Sequence, residues 1–311
     1  MFSKKLLIPL LSLSLLVTPA YSSHAAENAE AAGTSVEGQG MLSPSSSSEG
    51  SESVFNGSGA GASSEPVTDE KLETILKQVQ SQLPAENGTW AVFISDLVNG
   101  TEGSLNDQKM QAASLIKLYI MGAVYENYDQ ITGQYGKDSV DSNLYSMITV
   151  SDNDAANTLT TYLGGGDSAA GMQAVNSFCQ AHGYDQTHMG RMLLASNEND
   201  DNYTSVGDCG HLLQEIYKQD TSGYTHAADM FNLLKAQTRC NKLPAQLPEG
   251  VKTANKTGEL DNVENDAGII YDSENDLAIV FLSQNLSDVS AAQNTITALS
   301  KEIYEYYNCE Q

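Results

Sequence analysis

Strand patterns stand at both ends of the folded part of this chain, and helical patterns stand between them. Apolar runs predict strands at residues 90–97, 251–256, 267–271 and 277–283, and the turn signal Asn99–Gly100 predicts a further short strand. From residue 112 to about residue 240 the apolar residues mostly recur at helical spacing. This order predicts an α+β fold, in which one antiparallel sheet is built from both ends of the domain and an all-helical subdomain is inserted.

Two further helices are expected to flank the sheet. Apolar residues spaced as on one helix face predict a helix over residues 68–83, and residues 293–307 predict a closing helix. Three consecutive glycines at 164–166 predict the end of a central helix, and the polar stretch 197–203 predicts a loop.

The first 66 residues lack the pattern of a folded domain. Lys4 and Lys5 precede an apolar run and then small residues, which is the order of a secretory signal peptide, placed here at residues 1–25. The apolar run is shorter than the ~20 residues of a spanning helix. We therefore expect cleavage and a secreted, extracytoplasmic protein without stable membrane insertion. Residues 26–66 are rich in Ser, Gly and Glu and predict a disordered acidic linker before a folded domain at residues 67–311.

The net charge restricts the partners of the protein. Lys and Arg number 15 against 40 Asp and Glu, a formal net charge of -25. Nucleic acids and anionic membranes repel such a chain, so we expect neither as a partner, and we expect a soluble monomer. The five His residues lack the spacing of metal ligands, so no metal or other cofactor is expected.

The four cysteines, Cys179, Cys209, Cys240 and Cys309, can form disulfides in an exported protein. Three pairings are possible, and the sequence does not choose between them. Cys209–Cys240 is favoured because both residues lie in the central helical stretch. None of the four sits in a reactive motif, so no catalytic cysteine is expected.

The first chemical motif is Ser114-Leu115-Ile116-Lys117. On a helix, residues three apart share a face, so the serine hydroxyl and the lysine amine can meet. Serine becomes a nucleophile when a base removes its proton, and burial can lower the pKa of a lysine enough to make it that base. Apolar neighbours of Lys117 indicate a buried setting. The alternative is an ordinary helix face, because this spacing also arises by chance.

Two further motifs place polar side chains beside apolar segments. Ser151-Asp152-Asn153 predicts a turn, where Ser151 could pass a proton to a leaving group and Asn153 could hold Lys117; a helix cap is the alternative. Lys256-Thr257-Gly258 is predicted at the end of a strand, where Lys256 and Thr257 could bind a carboxylate and Gly258 admits a substrate backbone; a simple strand end is the alternative.

In this order the three motifs resemble the S-x-x-K, S-D-N and K-T-G signature of penicillin-recognising serine hydrolases. From about residue 67 to residue 311 the chain is similar to class A β-lactamases and their penicillin-binding relatives, whose β-lactamase/transpeptidase-like fold has the architecture predicted above. The resemblance implies that Ser114 forms an acyl-enzyme, that Lys117 acts as the base or helps to supply it, and that Ser151 relays the proton to the departing nitrogen. It also implies a set of substrate-binding groups: Asn153, Lys256, Thr257, Gly258, and the backbone N–H groups of Ser114 and Glu259 as an oxyanion hole.

One departure from the family pattern concerns release of the acyl group. In class A β-lactamases a loop carries a Glu two residues after an Arg, and that Glu drives deacylation through water. Here Arg191 matches the Arg, and Leu193 occupies the position of the Glu. Arg191 and Asp201 could still join the ends of a shortened loop. Glu198 is the nearby carboxylate proposed to act on water, with a solvated loop charge as the alternative.

A second departure concerns the substrate carboxylate. Many β-lactamases carry an Arg on the strand after the K-T-G strand, but residues 264–268 contain none, so Lys242, or less favourably Arg239, could replace it. The expected function is a secreted serine hydrolase of class A β-lactamase type that hydrolyses the β-lactam amide. The alternative is a penicillin-binding D-alanyl-D-alanine peptidase that releases β-lactams slowly. The expected partner is a small-molecule β-lactam or a peptidoglycan stem peptide.

Overall fold

The computed structural model describes residues 69–309, so the predicted signal peptide and linker lie outside the described residues. The strands are β1 (Thr89–Asp96), β2 (Thr101–Leu105), β3 (Met110–Gln111), β4 (Tyr203–Thr204), β5 (Lys252–Leu260), β6 (Val263–Tyr271) and β7 (Leu277–Gln284). The helices are α1 (Glu70–Gln82), α2 (Ile116–Glu126), α3 (Tyr128–Tyr135), α4 (Lys137–Thr149), α5 (Asn153–Leu163), α6 (Ser168–Ala181), α7 (Val206–Tyr217), α8 (Ala227–Lys235) and α9 (Val289–Asn308). Within residues 69–309, none of the helices is long and apolar enough to cross a membrane.

Five strands form one antiparallel sheet in the order β2-β1-β7-β6-β5. Strands β1 and β2 come from the start of the described chain and β5 to β7 from its end. The two ends are joined by the pairing of β1 with β7, which runs from Thr89↔Gln284 to Asp96↔Leu277. The predicted α+β fold, with a sheet assembled from both ends and helices inserted between them, is confirmed.

Both faces of this sheet are buried, because alternate residues of its central strands enter two different cores. On β7, Ile279 and Phe281 pack in the cluster that includes residues of α1 and α9. Ala278, Val280 and Leu282 pack in the cluster that includes the inserted helices. Successive side chains of a strand point to opposite faces, so a strand covered on both sides needs apolar residues at nearly every position. This explains the continuous apolar run that predicted β7.

Helix α2 lies at the centre of the inserted helical region. Its residues from Ile116 to Val124 are all buried, and it contacts α4, α5 and α6. A helix that is apolar on all sides belongs in the interior of a domain. Lys117, in the first turn of α2, is therefore carried into the interior by its neighbours.

Two strands differ from their predicted bounds. Strand β5 extends to Leu260, so the Lys256-Thr257-Gly258 motif lies inside the strand and not at its end. Strand β6 begins at Val263, ahead of the predicted start at residue 267. The additional residues Glu264, Asn265 and Asp266 are polar but buried, and each has a hydrogen-bond partner in the interior.

Strands β3 and β4 form a separate ladder that the sequence did not predict. Met110 pairs with Thr204, and Gln111 pairs with Tyr203. Two residues are too few to produce a recognisable period. The ladder brings the end of the loop over residues 191–201 beside the segment that carries the first motif, where Ala112 N–H donates to the carbonyl of Asn202 at 2.8 Å.

All four cysteines are free thiols, so the favoured Cys209–Cys240 pairing is wrong. Cys209 is buried in α7, where the hydroxyl of Tyr119 donates to its sulfur at 3.3 Å, whereas Cys240 is exposed in the segment after α8. Burial raises the pKa of the Cys209 thiol to about 12, so this thiol stays neutral at physiological pH. A shared position in the helical part of the sequence does not bring two residues together in space.

We expect Gly122→Ala to destabilise the fold. A methyl group at Gly122 would lie 2.4 Å from the ring of Phe178, which is buried in the core, and overpacking of this kind costs about 1–3 kcal/mol. The matched control is Gly133→Ala in α3, where a methyl group meets no atom within 4 Å. The control should gain up to about 1 kcal/mol, because alanine forms helix more readily than glycine. Urea unfolding measures both changes, and equal changes would contradict the packing of α2 against α6.

Candidate active site

Ser114 lies in a single 3₁₀ turn, Ala113–Leu115, directly before α2. Ala113 has a φ of 48°, in the left-handed region that residues other than glycine rarely adopt. Asn265 on β6 holds this bend by donating to the carbonyl oxygens of Gln111 and Ala112 at 2.9 and 3.2 Å. The sheet thus fixes the strained bend, and backbone strain of this kind concentrates at functional sites.

Gly258 on β5 lets the sheet approach the same bend. A Cβ atom at Gly258 would lie 3.0 Å from the carbonyl oxygen of Ala112 and 3.3 Å from the Cβ atom of Ala113. The K-T-G pattern had suggested room for a substrate backbone. In the structure the missing side chain makes room for the segment that carries Ser114.

Lys117 joins the first two motifs. Its Nζ atom lies 3.1 Å from Ser114 Oγ, 2.7 Å from the carbonyl oxygen of Ser151, 3.1 Å from Ser151 Oγ and 2.7 Å from Asn153 Oδ1. The carbonyl oxygen of Ser151 and the amide oxygen of Asn153 can only accept hydrogen bonds. In a neutral amine they take both hydrogens, and the lone pair of Nζ is left to face the two hydroxyl groups.

The protonation of Lys117 follows from its position. The pKa of Lys117 is lowered to about 8, first by burial and second by the nearby guanidinium of Arg239, while the carboxylate of Asp152 opposes both effects. The charged form loses its solvation in the interior, which favours the neutral amine. A neutral amine within hydrogen-bond distance of a serine hydroxyl has the geometry and the basicity of a general base.

Ser151 lies in the turn between α4 and α5, with a φ of 61°. The adjacent Asp152 caps α5 by accepting from the N–H of Ala155 at 2.7 Å. The helix-cap alternative therefore applies to Asp152, while Ser151 and Asn153 face Lys117.

Lys256 extends the series of hydrogen-bonded polar groups that includes Ser151. Its Nζ atom donates to Ser151 Oγ at 2.9 Å and to the carbonyl oxygen of Thr257 at 2.6 Å, and its side chain is completely buried. Burial, and then the positive charge of Lys117, hold the pKa of Lys256 well below its ordinary value. The Ser151 hydroxyl thus connects two lysines, and protons can pass along Ser114, Lys117, Ser151 and Lys256.

A pocket of about 130 Å³ opens onto these groups. Its lining residues are Ser114, Ser151, Asn153, Arg239, Thr257 and Glu259. Residues from all three sequence motifs therefore meet at one pocket, and Lys117 and Lys256 lie behind its wall. Residues 69–309 contain no group of three or more His, Cys, Asp or Glu side chains that could hold a metal ion.

Lys242 does not line this pocket, which corrects the expectation that it binds the substrate carboxylate. Its side chain is fully buried, and its Nζ atom lies 2.8 Å from Glu264 Oε2 and 3.2 Å from Glu259 Oε1. The less favoured candidate, Arg239, lies on the pocket wall. An isolated buried ammonium is costly unless it is paired, and here two carboxylates satisfy it.

The loop from Arg191 to Asp201 is closed at its base by an ion pair, because Arg191 Nε lies 2.6 Å from Asp201 Oδ1. This clasp was predicted, and it is confirmed. Leu193 is buried, and Asn157 holds its backbone through hydrogen bonds of 2.8 and 3.0 Å. Glu198 is exposed near the tip of the loop and does not line the pocket. The role of Glu198 in activating water stays a prediction, and this position does not support it.

Two contributions to the site were missed from the sequence. Asn265 holds the bend before Ser114, and the side chain of Glu259 is part of the pocket wall. The available signal was the run Glu264-Asn265-Asp266 directly before an apolar strand. Polar residues in line with a buried strand indicate that the strand end supports a site, but the run does not reveal which groups it contacts.

The chain belongs to the beta-lactamase enzyme family, whose sequence pattern matches residues 71–138 and 134–307. No curated protein sequence gives a significant match. Among solved structures, the chain is similar to PBP-A, with 22% identity over 76% of this chain and 96% of that chain and a TM-score of 0.66. It is also similar to a beta-lactamase from Sphaerobacter thermophilus, with 21% identity over 75% of this chain and 96% of that chain and a TM-score of 0.62. A beta-lactamase from Chitinophaga pinensis shares 19% identity over 76% of this chain and 100% of that chain, with a TM-score of 0.64. At these identities the structures establish the shared fold.

Lys242→Met should destabilise the protein. Methionine keeps the volume of the side chain but leaves the buried Glu264 without its cation, and breaking a buried ion pair costs about 3–5 kcal/mol. The control Lys301→Met removes a half-buried lysine 3.7 Å from Glu305 and should cost less than about 1 kcal/mol. Urea unfolding measures both variants. An unchanged stability of Lys242→Met would contradict the structural role.

Proposed function

We propose that this protein is a serine hydrolase in which Ser114 is acylated by β-lactams and the β-lactam amide is hydrolysed. The observation that carries the proposal is the buried amine of Lys117, which lies 3.1 Å from both Ser114 Oγ and Ser151 Oγ. One base in contact with two hydroxyls supports both halves of an amide cleavage, because one hydroxyl must lose a proton and the other must deliver one.

In the acylation step, Lys117 in its neutral form takes the proton of Ser114 while Oγ attacks the carbonyl carbon. Ser114 and Glu259 both line the pocket, and their backbone N–H groups are the proposed oxyanion hole. The carbon–nitrogen bond then breaks. The departing nitrogen receives the proton of Ser151, and Lys117 returns a proton to Ser151, so the charge is balanced within the site.

Substrate binding is proposed for the remaining wall of the pocket. Asn153 accepts from Lys117 with its oxygen, which leaves its NH₂ group to donate to a substrate amide. Arg239 and Thr257 offer donors to a substrate carboxylate, with Lys256 behind them. The predicted signal peptide would export the enzyme to a compartment where β-lactams and cell-wall peptides are accessible.

A second candidate function is favoured by Leu193. Its side chain is apolar at the position where a water-activating carboxylate is expected, and within residues 69–309 the carboxylate that lines the pocket is Glu259. Both oxygens of Glu259 are held in ion pairs, one with Arg239 and one with Lys242. This arrangement supports a D-alanyl-D-alanine peptidase-like enzyme that acylates with β-lactams and releases them slowly.

Intact-mass spectrometry after mixing with benzylpenicillin tests the proposal. We expect an adduct of the mass of the intact β-lactam in the unaltered protein and no adduct in Ser114→Ala. The matched control is Ser177→Ala, which removes an exposed serine of α6 and should leave the adduct unchanged. Adduct formation in Ser114→Ala, or none in the unaltered protein, would refute acylation of Ser114.

The lifetime of the adduct separates the two candidate functions. Loss of the adduct within seconds, with hydrolysed product, supports the β-lactamase. An adduct that persists for many minutes, with turnover of a D-Ala-D-Ala peptide, supports the peptidase.

The rate of acylation should depend on the pKa of Lys117. The neutral amine is the active form and is populated above its pKa, so the rate should rise with pH, with a midpoint near pH 8, and should level off about one unit above that midpoint. Arg239→Gln removes a positive charge that lowers this pKa, so the midpoint should move to higher pH. The exposed Lys77→Gln in α1 is the control and should not move it. Stopped-flow acylation from pH 6 to pH 10 measures the midpoint, and a rate that falls with rising pH would contradict Lys117 as the base.

A further inference from the structure

A second pocket, of about 390 Å³, opens on the helical region between α2, α3, α4 and α8. We call it the tyrosine pocket, because Tyr125, Tyr128 and Tyr145 line it. Its volume lies within the range of about 300–1,000 Å³ that small-molecule sites occupy. It is larger than the pocket at Ser114, which has about 130 Å³, and the steps proposed for acylation do not use it.

The charged side chains that line the tyrosine pocket are already paired. Lys137 Nζ lies 2.8 Å from Asp141 Oδ2, and Asp229 Oδ2 lies 2.9 Å from Nδ1 of His226. The hydroxyl of Tyr128 joins the first pair, since it donates to Asp141 and accepts from Lys137. Each charged group of the wall therefore has a partner in the protein, which favours a neutral ligand.

Neutral polar groups of the wall are free to bind a ligand. Tyr145 is 55% exposed, and it is its backbone carbonyl that takes part in hydrogen bonding, by accepting from Thr149 Oγ1 at 2.8 Å. Within residues 69–309 the hydroxyls of Tyr125 and Tyr145 and the side-chain amide of Asn232 have no hydrogen-bond partner in the protein. Hydroxyl and amide groups both donate and accept, so they match a ligand that carries several hydroxyl groups.

The ring of Tyr145 is a flat apolar surface that remains open. Tyr125 stacks on Tyr128 and on His226, with ring centroids 5.4 and 5.0 Å apart, so these three rings cover one another. Tyr145 has no aromatic partner within the described part of the chain. A pyranose ring has C–H groups on its face and hydroxyls at its edge. An open tyrosine ring beside free polar groups is complementary to both features.

Apolar side chains complete the wall, namely Leu144, Leu233 and Ala236. They cannot bond a hydroxyl, but they can cover the methyl group of an N-acetyl substituent. The free amide of Asn232 can bond the acetamide that carries this methyl group. The lining as a whole therefore matches an N-acetylated amino sugar better than an unsubstituted one.

The tyrosine pocket adjoins the pocket at Ser114 along one short segment. Ala236 lines the first pocket and Arg239 lines the second, and three residues of chain span at most about 11 Å. The segment is held to the end of α4, because Thr238 donates with its N–H and its hydroxyl to the carbonyl oxygen of Thr149 at 3.0 and 2.9 Å. An extended peptide of four residues spans about 13 Å, so one sugar-linked peptide can reach both pockets.

We propose that the tyrosine pocket binds an N-acetylated amino sugar, and that it holds the saccharide to which an acyl-donor peptide is attached while that peptide reaches Ser114. Binding of the saccharide is independent of the chemistry at Ser114, whereas its link to the acyl donor rests on the proposed function. A donor that carries its sugar therefore binds more tightly than the same peptide without it, because two pockets hold one molecule.

An NMR titration with the β(1→4)-linked tetramer of N-acetylglucosamine tests the saccharide site. We expect binding to the unaltered protein and about tenfold weaker binding to Tyr145→Ala, which removes the open ring. Tyr145→Phe keeps the ring and should lose less affinity, and Asn232→Ala should weaken binding at a second exposed position. The matched control Val98→Ala shortens an equally exposed apolar side chain in the β1–β2 turn and should bind normally. No binding at millimolar tetramer, or equal binding to Tyr145→Ala, would overturn the inference.

Competition with benzylpenicillin tests the link to Ser114. The competitors are a pentapeptide ending in D-Ala-D-Ala and the same peptide attached to a disaccharide of N-acetylated amino sugars, and intact-mass spectrometry measures the rate of acylation of Ser114. We expect the sugar-linked peptide to halve this rate at about a tenfold lower concentration than the free peptide. Tyr145→Ala should remove that difference. Equal protection by the two peptides, or protection by neither, would overturn the link.

Failure of the proposed function gives a different result from failure of this inference. Absence of an adduct with benzylpenicillin alone would refute acylation of Ser114. The tetramer titration does not depend on acylation, so it would still decide whether the tyrosine pocket is a saccharide site.

Discussion

The buried amino group of Lys117 is the point on which the arrangement of the site depends. Helix α2 is apolar on all sides and carries the lysine into the interior, where polar atoms from Ser114, Ser151 and Asn153 must replace its hydration. These atoms belong to the bend before α2 and to the turn after α4. Through Ser151 the contact extends to Lys256 on the sheet. This side chain therefore connects the helical region with the sheet, and its burial lowers its pKa.

The sheet supports the site through three consecutive polar residues of β6. Glu264 anchors Lys242, Asn265 holds the bend before Ser114, and Asp266 accepts from the N–H of Leu243 at 2.9 Å. Polar groups buried at a strand end are costly unless each is satisfied, and here each one holds a different neighbouring segment. Through Lys242, Glu264 also supports Glu259 on the pocket wall, where Glu259 pairs with Arg239.

Much of the fold could be predicted from the sequence, because buried strands appear as apolar runs and helices as apolar residues at helical spacing. The apolar run of β7 and the helical spacing of α1 each predicted an element close to its observed bounds. The start of β6 did not follow, since Glu264 to Asp266 are polar and their burial depends on partners far away in the chain. The β3–β4 ladder is too short to produce a recognisable sequence pattern. The predicted pairing of Cys209 with Cys240 was wrong because two residues in the same region of the sequence need not be close in space.

The candidate reactive groups were predicted from the amino-acid order, because each motif places a hydroxyl or amine at a spacing set by local geometry, as for Ser114 and Lys117 on one helix face. Two contacts between segments were predicted, Asn153 with Lys117 and Arg191 with Asp201. The other partners could not be predicted, because they come from separate segments. The tertiary structure decided these positions. Asp152 caps α5, and Lys242 is buried behind Glu259. Glu198 is exposed and lies outside the pocket, whereas Arg239 lies on the pocket wall. The sequence alone determines which reactive side chains lie close together along the chain. The burial of each side chain and its distance from side chains in other segments are determined only when the sheet and the helices pack together.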